Sequence, residues 1–298
     1  MPDTSTPTTA EPPRAARLRR GDVVSPYDRD GYVVLPHLLG PDLLAAAREE
    51  TTAICRGRRG TIDGVVPAGD GDSDAAVLRR YLCIHFPHKI SARLREMARL
   101  PAVVDILTAV VGPNVKMMQS MLFLKAGGQP GQAWHQDEAH IPTRDHSLTA
   151  VWIALDNATV DNGCLWVIPG SHRAGVLYPV RDHHDARFDP TPEAHGFGRA
   201  ERDAVPVELP AGTAVVFDGY LLHRSLPNTR RPSLRRALVN HYMSAESLLP
   251  WRPADTGESV ATLDHRDVLL VSGRDPYEAQ GTADLMHPYL RRQAPNDG

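Results

Sequence analysis

Gln132-Ala133-Trp134-His135-Gln136-Asp137-Glu138 sets an imidazole and a carboxylate two residues apart. In an extended strand successive side chains alternate between faces, so His135 and Asp137 point one way and Gln136 the other. The pair makes two thirds of a 2-His-1-carboxylate facial triad, which holds ferrous iron and leaves coordination positions open. In a chain with 14 histidines a His-x-Asp is weak evidence alone. Its setting strengthens it. The apolar stretch 115–124 precedes it, and the Gly/Pro-containing loop 126–131 leads into it. The third ligand must come from another strand, and Phe217-Asp218-Gly219-Tyr220-Leu221-Leu222-His223-Arg224-Ser225 offers His223.

From Val115 onward the pattern is one of short strands, at 115–125, 132–138, 148–156, 164–168, 205–209, 213–217, 220–225 and 235–243. Turn residues part them: Asp161-Asn162-Gly163, Pro169-Gly170-Ser171, Pro210-Ala211-Gly212 and Pro227-Asn228. Before Val115 the chain reads as helices. Asp28 to Leu35 contains a helix end, a glycine and a short strand. Pro41-Asp42 opens a helix that Gly57 closes, since proline suits the first helical position and aspartate the positive end. Residues 57–76 read as a loop. Tyr81 to Phe86 reads as extended, Ser91 caps a short helix, and Pro101 starts another that Gly112-Pro113 closes.

Helices followed by a run of strands predict a mainly β fold with helices packed on one side of a double-stranded β-helix, or jelly roll. Such a barrel brings strands distant in sequence together, as a His135/His223 pairing requires. Residues 178–204 interrupt the strands and read as a lid or a surface insertion. Asp284 to Arg292 reads as a closing helix, with Pro288 in its first turns or at a kink. The chain divides into a tail, residues 1–22, and a single domain, residues 23–298, with no internal repeat.

Composition limits the partners. Apolar residues make up 42% of 298, enough for a core of this size. A net charge of −3 and a pI near 6.5 give no basic field for nucleic acid. Arg14, Arg17, Arg19 and Arg20 form a short basic patch in the tail, of the kind disordered segments carry. Cys55, Cys83 and Cys164 are an odd number without metal-ligand spacing, which suits a reducing compartment. Neither a secretory leader nor an apolar run of about 18 residues is visible. The expectation is a cytoplasmic protein that acts on a small molecule, without nucleic acid or membrane; oligomeric state is not encoded in any recognisable pattern.

Several ordered pieces now combine: Met121-Leu122-Phe123-Leu124-Lys125, Trp134-His135-Gln136-Asp137 and Trp152-Ile153-Ala154-Leu155-Asp156. Asn162-Gly163-Cys164-Leu165, Pro169-Gly170-Ser171-His172, Gly219 to Ser225, and Arg235-Arg236-Ala237 follow. In this order, over roughly residues 25–250, the chain resembles the phytanoyl-CoA dioxygenase family. The resemblance implies a jelly-roll core, Fe(II), 2-oxoglutarate as co-substrate, O2, and hydroxylation of an unactivated C–H bond with release of succinate and CO2. It assigns His135, Asp137 and His223 as metal ligands and catalytic centre.

The far carboxylate of the keto acid needs a cation where it is buried, and a guanidinium fork suits it. Arg235 matches the family's arginine. Strand alternation places it on one face with Ala237, Val239 and His241, and Arg236 on the other. Ser225 could add a hydroxyl to the same carboxylate. Trp152 matches an aromatic wall of the keto-acid pocket, against plain barrel core as the alternative. Gln119 shares a face with Met121, Phe123 and Lys125, inward toward keto acid or substrate or else exposed. Lys125 could compete for the far carboxylate of the keto acid, but is expected to reach solvent at the strand end. His172 is expected to shape a turn, and His241 to be a hydrogen-bonded barrel residue. Arg144 and His85 are the substrate-binding candidates, with the pocket walls supplied by loops 57–80, 138–148 and 178–204.

Desaturation, epoxidation and ring closure would use the same ligands, whereas halogenation is disfavoured because Asp137 is present. The competing classes are a zinc hydrolase on the same three ligands, which would need a nearby base, and a non-catalytic jelly-roll binding module.

Overall fold

Strands that follow one another in the chain mostly change sheet, and this weave builds the molecule. A computed structural model describes residues 20–198, 201–247, 268–282 and 286–291. The helical part runs α1 (Arg20–Asp30), β1 (Tyr32–Leu35), α2 (Pro41–Cys55), α3 (Asp74–Leu78), β2 (Cys83–His85), α4 (Ala92–Met97) and α5 (Pro101–Val110). The strands follow: β3 (Val115–Ala126), β4 (Gln132–His135), β5 (Thr149–Ala154), β6 (Leu165–Val167), β7 (Val180–Arg181) and β8 (Glu193–Ala194). The remainder are β9 (Val205–Val207), β10 (Ala214–Asp218), β11 (His223–Ser225), β12 (Leu234–Ser244), β13 (Leu269–Ser272) and β14 (Tyr289–Leu290).

The larger sheet has the order β1-β10-β5-β12-β3-β2-β14, with β13 also on β3, and the smaller has the order β4-β11-β6-β9. This is the double-stranded β-helix expected from the strand run. The large sheet is buried on both faces. Leu122 and Leu124 of β3 and Leu238 and Tyr242 of β12 pack outward with Ile54, Val103 and Leu107 of the helices. The intervening residues Met121, Ala237 and Val239 face the barrel interior with Trp152, Leu165 and Phe217. Two buried faces explain why β3 reads as a continuous apolar run with only a few polar residues.

Local chemistry sets the helix ends. Ser91 Oγ accepts from Leu94 N at 3.2 Å and caps α4, while Pro41 and Pro101 begin α2 and α5.

Several expectations are corrected. The chain is already helical at Arg20, three residues before the expected domain start at 23; residues 1–19, with Arg14, Arg17 and Arg19, lie outside the described residues. The loop 57–76 is interrupted by α3, which Ser73 Oγ caps by accepting from Ala76 N at 3.3 Å. The described part of the stretch 284–292 is not helical. Tyr289 and Leu290 pair antiparallel with His85 and Ile84, adding a strand to the sheet edge; Asp284, the residue after it and Arg292 lie outside the described residues. Cys55, Cys83 and Cys164 are free and buried. Among the described residues no helix is long and apolar enough to cross a membrane.

Candidate metal centre and cavity

Strand β4 ends at His135, and Asp137 opens a short 3-10 turn (Asp137–Ala139) rather than continuing a strand to 138. Gln136 between them keeps extended angles, φ −124 and ψ 130. Alternation therefore persists one residue past the strand, and Asp137 stays on the same side as His135. Gln136 points away. Its Nε2 donates to Val176 O (3.0 Å) and Tyr220 O (2.8 Å), and its Oε1 accepts from Tyr178 N (2.8 Å). One buried amide thus ties the metal-side turn to the loops on either side of it.

His223 of β11 stands directly opposite His135 in the antiparallel β11–β4 pair. One ligand atom from each of His135, Asp137 and His223 lies within 4.8 Å of the others. His135 Nε2 and His223 Nε2 lie 3.7 and 3.5 Å from Asp137 Oδ1.

The backbone decides the tautomers. His135 Nδ1 is 2.8 Å from Ala133 O, and His223 Nδ1 is 2.9 Å from Leu221 O. A carbonyl only accepts, so each Nδ1 carries the proton and each Nε2 presents its lone pair to the centre. These donors fit a divalent ion, since separations of 3.5 and 3.7 Å let one ion bonded at about 2.0–2.2 Å touch both partners. Such outer hydrogen bonds are what orient metal-binding imidazoles.

The electrostatics agree. Burial, with His223 adjoining, pushes His135 well below its ordinary range, which keeps it a neutral donor. Burial alone would raise Asp137, but His223, His241 and His135 together hold it well below the usual carboxylate range. His241 is the hydrogen-bonded barrel residue expected, but its partner, the candidate ligand Asp137, is not legible in the sequence. Its Nε2 donates to Asp137 Oδ2 at 3.1 Å, from a position 104 residues away in the chain.

These groups line a cavity that opens to solvent, with Met121, Phe123, Trp152, Ser225, Arg235 and Val239 in its walls. Strands supply almost all of the lining, not the loops 57–80, 138–148 and 178–204; the interior of a narrow barrel is walled by its own inward-facing rows. Arg235 is 3% exposed, its Cζ lies 5.3 Å from the centre of the Trp152 ring, and its Nη2 donates to Gly163 O at 2.9 Å. Burial lowers Arg235 to about 10, which leaves it charged at neutral pH. Arg236 points outward and forms a two-pronged bond to Asp156, 2.8 Å on each arm.

Lys125 corrects an expectation. It does not reach solvent but is 2% exposed, with Nζ 2.8 Å from Ser225 Oγ and 2.7 Å from Leu226 O. The strand end where it sits is roofed by the 225–226 backbone. Arg144 is another correction as a pocket residue. It is exposed on the turn after Thr143, held by its backbone N on Ser247 Oγ, and does not line the cavity. Gln119 lies on the inner face opposite His241 in the β3–β12 register and is 9% exposed. His85 is opposite Met121, 9% exposed, and stacks on Tyr289 with ring centres 4.6 Å apart. Neither lines the cavity directly. His172 places Nε2 3.1 Å from Asp28 O, bracing the turn beside Gly31.

Comparison with known proteins gives a consistent picture. The family profile "Phytanoyl-CoA dioxygenase (PhyH)" matches residues 27–237. "Phytanoyl-CoA dioxygenase 1" of Oryza sativa subsp. japonica is 32% identical over 164 residues, covering 54% of this chain; the chain spans only 57% of that protein's length. "L-proline trans-4-hydroxylase" of Streptomyces griseoviridis is 31% identical over 229 residues, covering 68% of this chain and 79% of that protein. Among solved structures, EvdO2 from Micromonospora carbonacea var. aurantiaca, complexed with 2-oxoglutarate, superposes with a TM-score of 0.59 at 24% identity. It covers 81% of this chain and 97% of that one, a likeness of fold.

Proposed function

Because the chain belongs to the phytanoyl-CoA dioxygenase family, we propose that it is an Fe(II)- and 2-oxoglutarate-dependent dioxygenase. Its reaction is hydroxylation of an unactivated C–H bond of a small metabolite, releasing succinate and CO2. The observation that carries this reading is the joint geometry of one cavity. His135, Asp137 and His223 converge with both imidazole lone pairs turned inward, and a buried guanidinium, Arg235, stands in the same space.

His135, Asp137 and His223 would hold the ferrous ion. Two neutral imidazoles and one carboxylate leave it one net positive charge, which favours a chelating keto acid. Bound together, ion and keto acid supply the oxidising chemistry with O2. The chain's own residues bind, orient and exclude water. Arg235 and Ser225 would take the far carboxylate, for which Arg235 has room: its buried Nε is without a partner. Trp152 walls that end, and Met121, Phe123, Leu165 and Val239 keep the cavity poor in water. Gln119 and His85, on the inner face beside the lining residues, would border the substrate.

A zinc hydrolase on the same ligands finds no support in the neighbouring acid. Glu138 Oε1 is taken by Thr143 N and Oγ1, both at 2.6 Å, and the side chain turns away from Asp137. Cytoplasmic location and a small-molecule partner remain part of this proposal.

The test is anaerobic loading with Fe(II) and 2-oxoglutarate, then O2 exposure with a metabolite panel, reading succinate and new oxygenated products by mass spectrometry. Substrate-coupled succinate is expected from the wild type and none from His135→Ala, Asp137→Ala or His223→Ala. Hydrolysis of a panel member on zinc, with no keto acid consumed, would sink the proposal.

A further inference from the structure

Lys125 is a buried cation that the proposed reaction leaves without a task. Its side chain runs beneath Gly163, a residue with φ +82 where an added Cβ would lie 2.9 Å from Lys125 Cδ. That glycine's carbonyl is the one Arg235 Nη2 donates to. Lys125 and Arg235 are direct cross-strand partners on β3 and β12. Among the described residues, no carboxylate lies within ion-pair distance of either. Burial, with Arg235 beside it, pushes the Lys125 ammonium well below its ordinary range. Two adjoining buried cations of this kind call for an anion.

The hydrogen bonds say how Lys125 serves that anion. An ammonium has no lone pair, so Ser225 Oγ is the acceptor in the 2.8 Å contact with Lys125 Nζ. Leu226 O, at 2.7 Å, takes a second N–H. Ser225 then keeps its own proton to give. No acceptor among the described residues takes it, and Ser225 lines the cavity beside Arg235.

We infer that Lys125 is a positioning residue: by donating to Ser225 Oγ it turns the serine proton into the cavity, so that Ser225 and Arg235 jointly select a carboxylate at the far end of the keto acid. This rests on the co-substrate assigned above. A carboxylate brought to the site favours the charged form of Lys125, so the geometry and the anion reinforce each other. A lysine that merely tied β3 to the 225–226 turn would leave keto-acid selectivity untouched.

The test is a double-mutant cycle in the full chain: wild type, Lys125→Met, Ser225→Ala and the double variant. Each is loaded with Mn(II) under argon and titrated calorimetrically. One probe is 2-oxoglutarate; the other is 2-oxopentanoate, which has the same keto-acid head and no far carboxylate. Lys125→Met and Ser225→Ala should each weaken 2-oxoglutarate about 10- to 100-fold, the loss of one hydrogen bond to a charged group. The double variant should be weaker than Ser225→Ala by no more than about threefold, because the lysine acts through the serine. Affinity for 2-oxopentanoate should stay within about threefold throughout.

Unchanged 2-oxoglutarate affinity in Lys125→Met or in Ser225→Ala overturns the inference, and so do additive losses. A wild type that binds both keto acids equally removes the carboxylate seat. One that binds neither removes the assigned co-substrate itself. If Lys125→Met does not fold, a crystal of the wild-type protein with Mn(II) and 2-oxoglutarate decides. Lys125 Nζ must remain on Ser225 Oγ with the serine on the carboxylate; lysine bonded to the carboxylate directly, or serine turned away, overturns the inference.

Discussion

Replacing His241 tests whether metal affinity is built one layer behind the ligands. Asp137 is 8% exposed, and its Oδ2 takes the 3.1 Å hydrogen bond from His241 Nε2. That bond leaves Oδ1 toward His135 and His223, so the carboxylate is offered to an ion through one oxygen. His241→Leu keeps bulk and removes the donor. A hydrogen bond to a buried charged group is worth about 1.5–3 kcal/mol. At about 1.4 kcal/mol per tenfold, this is about 10- to 100-fold in affinity, the same range found when residues supporting metal ligands are removed. The assay is Fe(II) or Mn(II) titration under argon against a competing chelator, with 2-oxoglutarate absent. His241→Gln is the control, because a glutamine amide reaches about as far as imidazole Nε2 and can donate to the same oxygen. Weakened metal binding in the leucine variant and recovery in the glutamine variant are expected. Equal affinity in wild type and His241→Leu, with both folded, would refute the reasoning.

Arg235→Ala should raise the KM for 2-oxoglutarate at least about 30-fold, as loss of a buried charge partner does, whereas Arg236→Ala should leave KM alone and lower stability by about 1–2 kcal/mol through Asp156; steady-state kinetics and melting curves separate the two. His85 gives a pH signature. Burial, with Arg291 and His241 nearby, lowers it from 6.5 to about 3. The unfolded chain therefore binds its proton first, and stability contributed by the neutral ring is complete above about pH 6.5 and falls as pH drops toward about 3. Near pH 5 this slope is about 1.4 kcal/mol per pH unit, and His85→Phe, which can still stack on Tyr289, should flatten it in denaturant titrations; an unchanged slope would mean the ring is not held neutral. Gln136→Leu strands Val176 O, Tyr220 O and Tyr178 N, at a cost of about 1–3 kcal/mol each, so limited proteolysis should cut within 176–198 sooner than in the wild type.

How much of this was legible in the sequence depended on whether a feature repeats with the strand. Period-two alternation placed His135 with Asp137 and set Arg235 and Arg236 on opposite faces, and the resemblance to the family's arginine chose Arg235 as the inward one. Helix starts at Pro41, Ser91 and Pro101 were legible because their chemistry is local. What stayed hidden was set by chain segments far apart. His241 reads as any polar barrel residue until its partner 104 positions away is known. Lys125 reads as a solvated strand end, and only the 225–226 turn, 100 residues on, closes over it. The segment at 289–290 reads as helical by composition, yet it pairs with the exposed edge of β2, and an open sheet edge outweighs the helix tendency of so short a piece.

The same alternation sets a length. His223 and Ser225 lie two residues apart on β11, which puts them about 6.6 Å from each other along the strand and on one face. Both line the cavity. An ion held at His223 and a carboxylate met at Ser225 would therefore lie a fixed reach apart, which selects one chain length of keto diacid, and the five-carbon chain is the one the proposed function assigns. A four-carbon diacid falls short by about 1.3 Å, more than the distance over which a hydrogen bond survives. Oxaloacetate should then bind the Mn(II)-loaded protein at least about tenfold more weakly than 2-oxoglutarate, and 2-oxoadipate, one carbon longer than the assigned co-substrate, should also be weaker. Equal binding of the three would mean that the far carboxylate is not held by β11 at all. The anchor would then have to be sought on a segment free to move, which neither Arg235 nor Ser225 is.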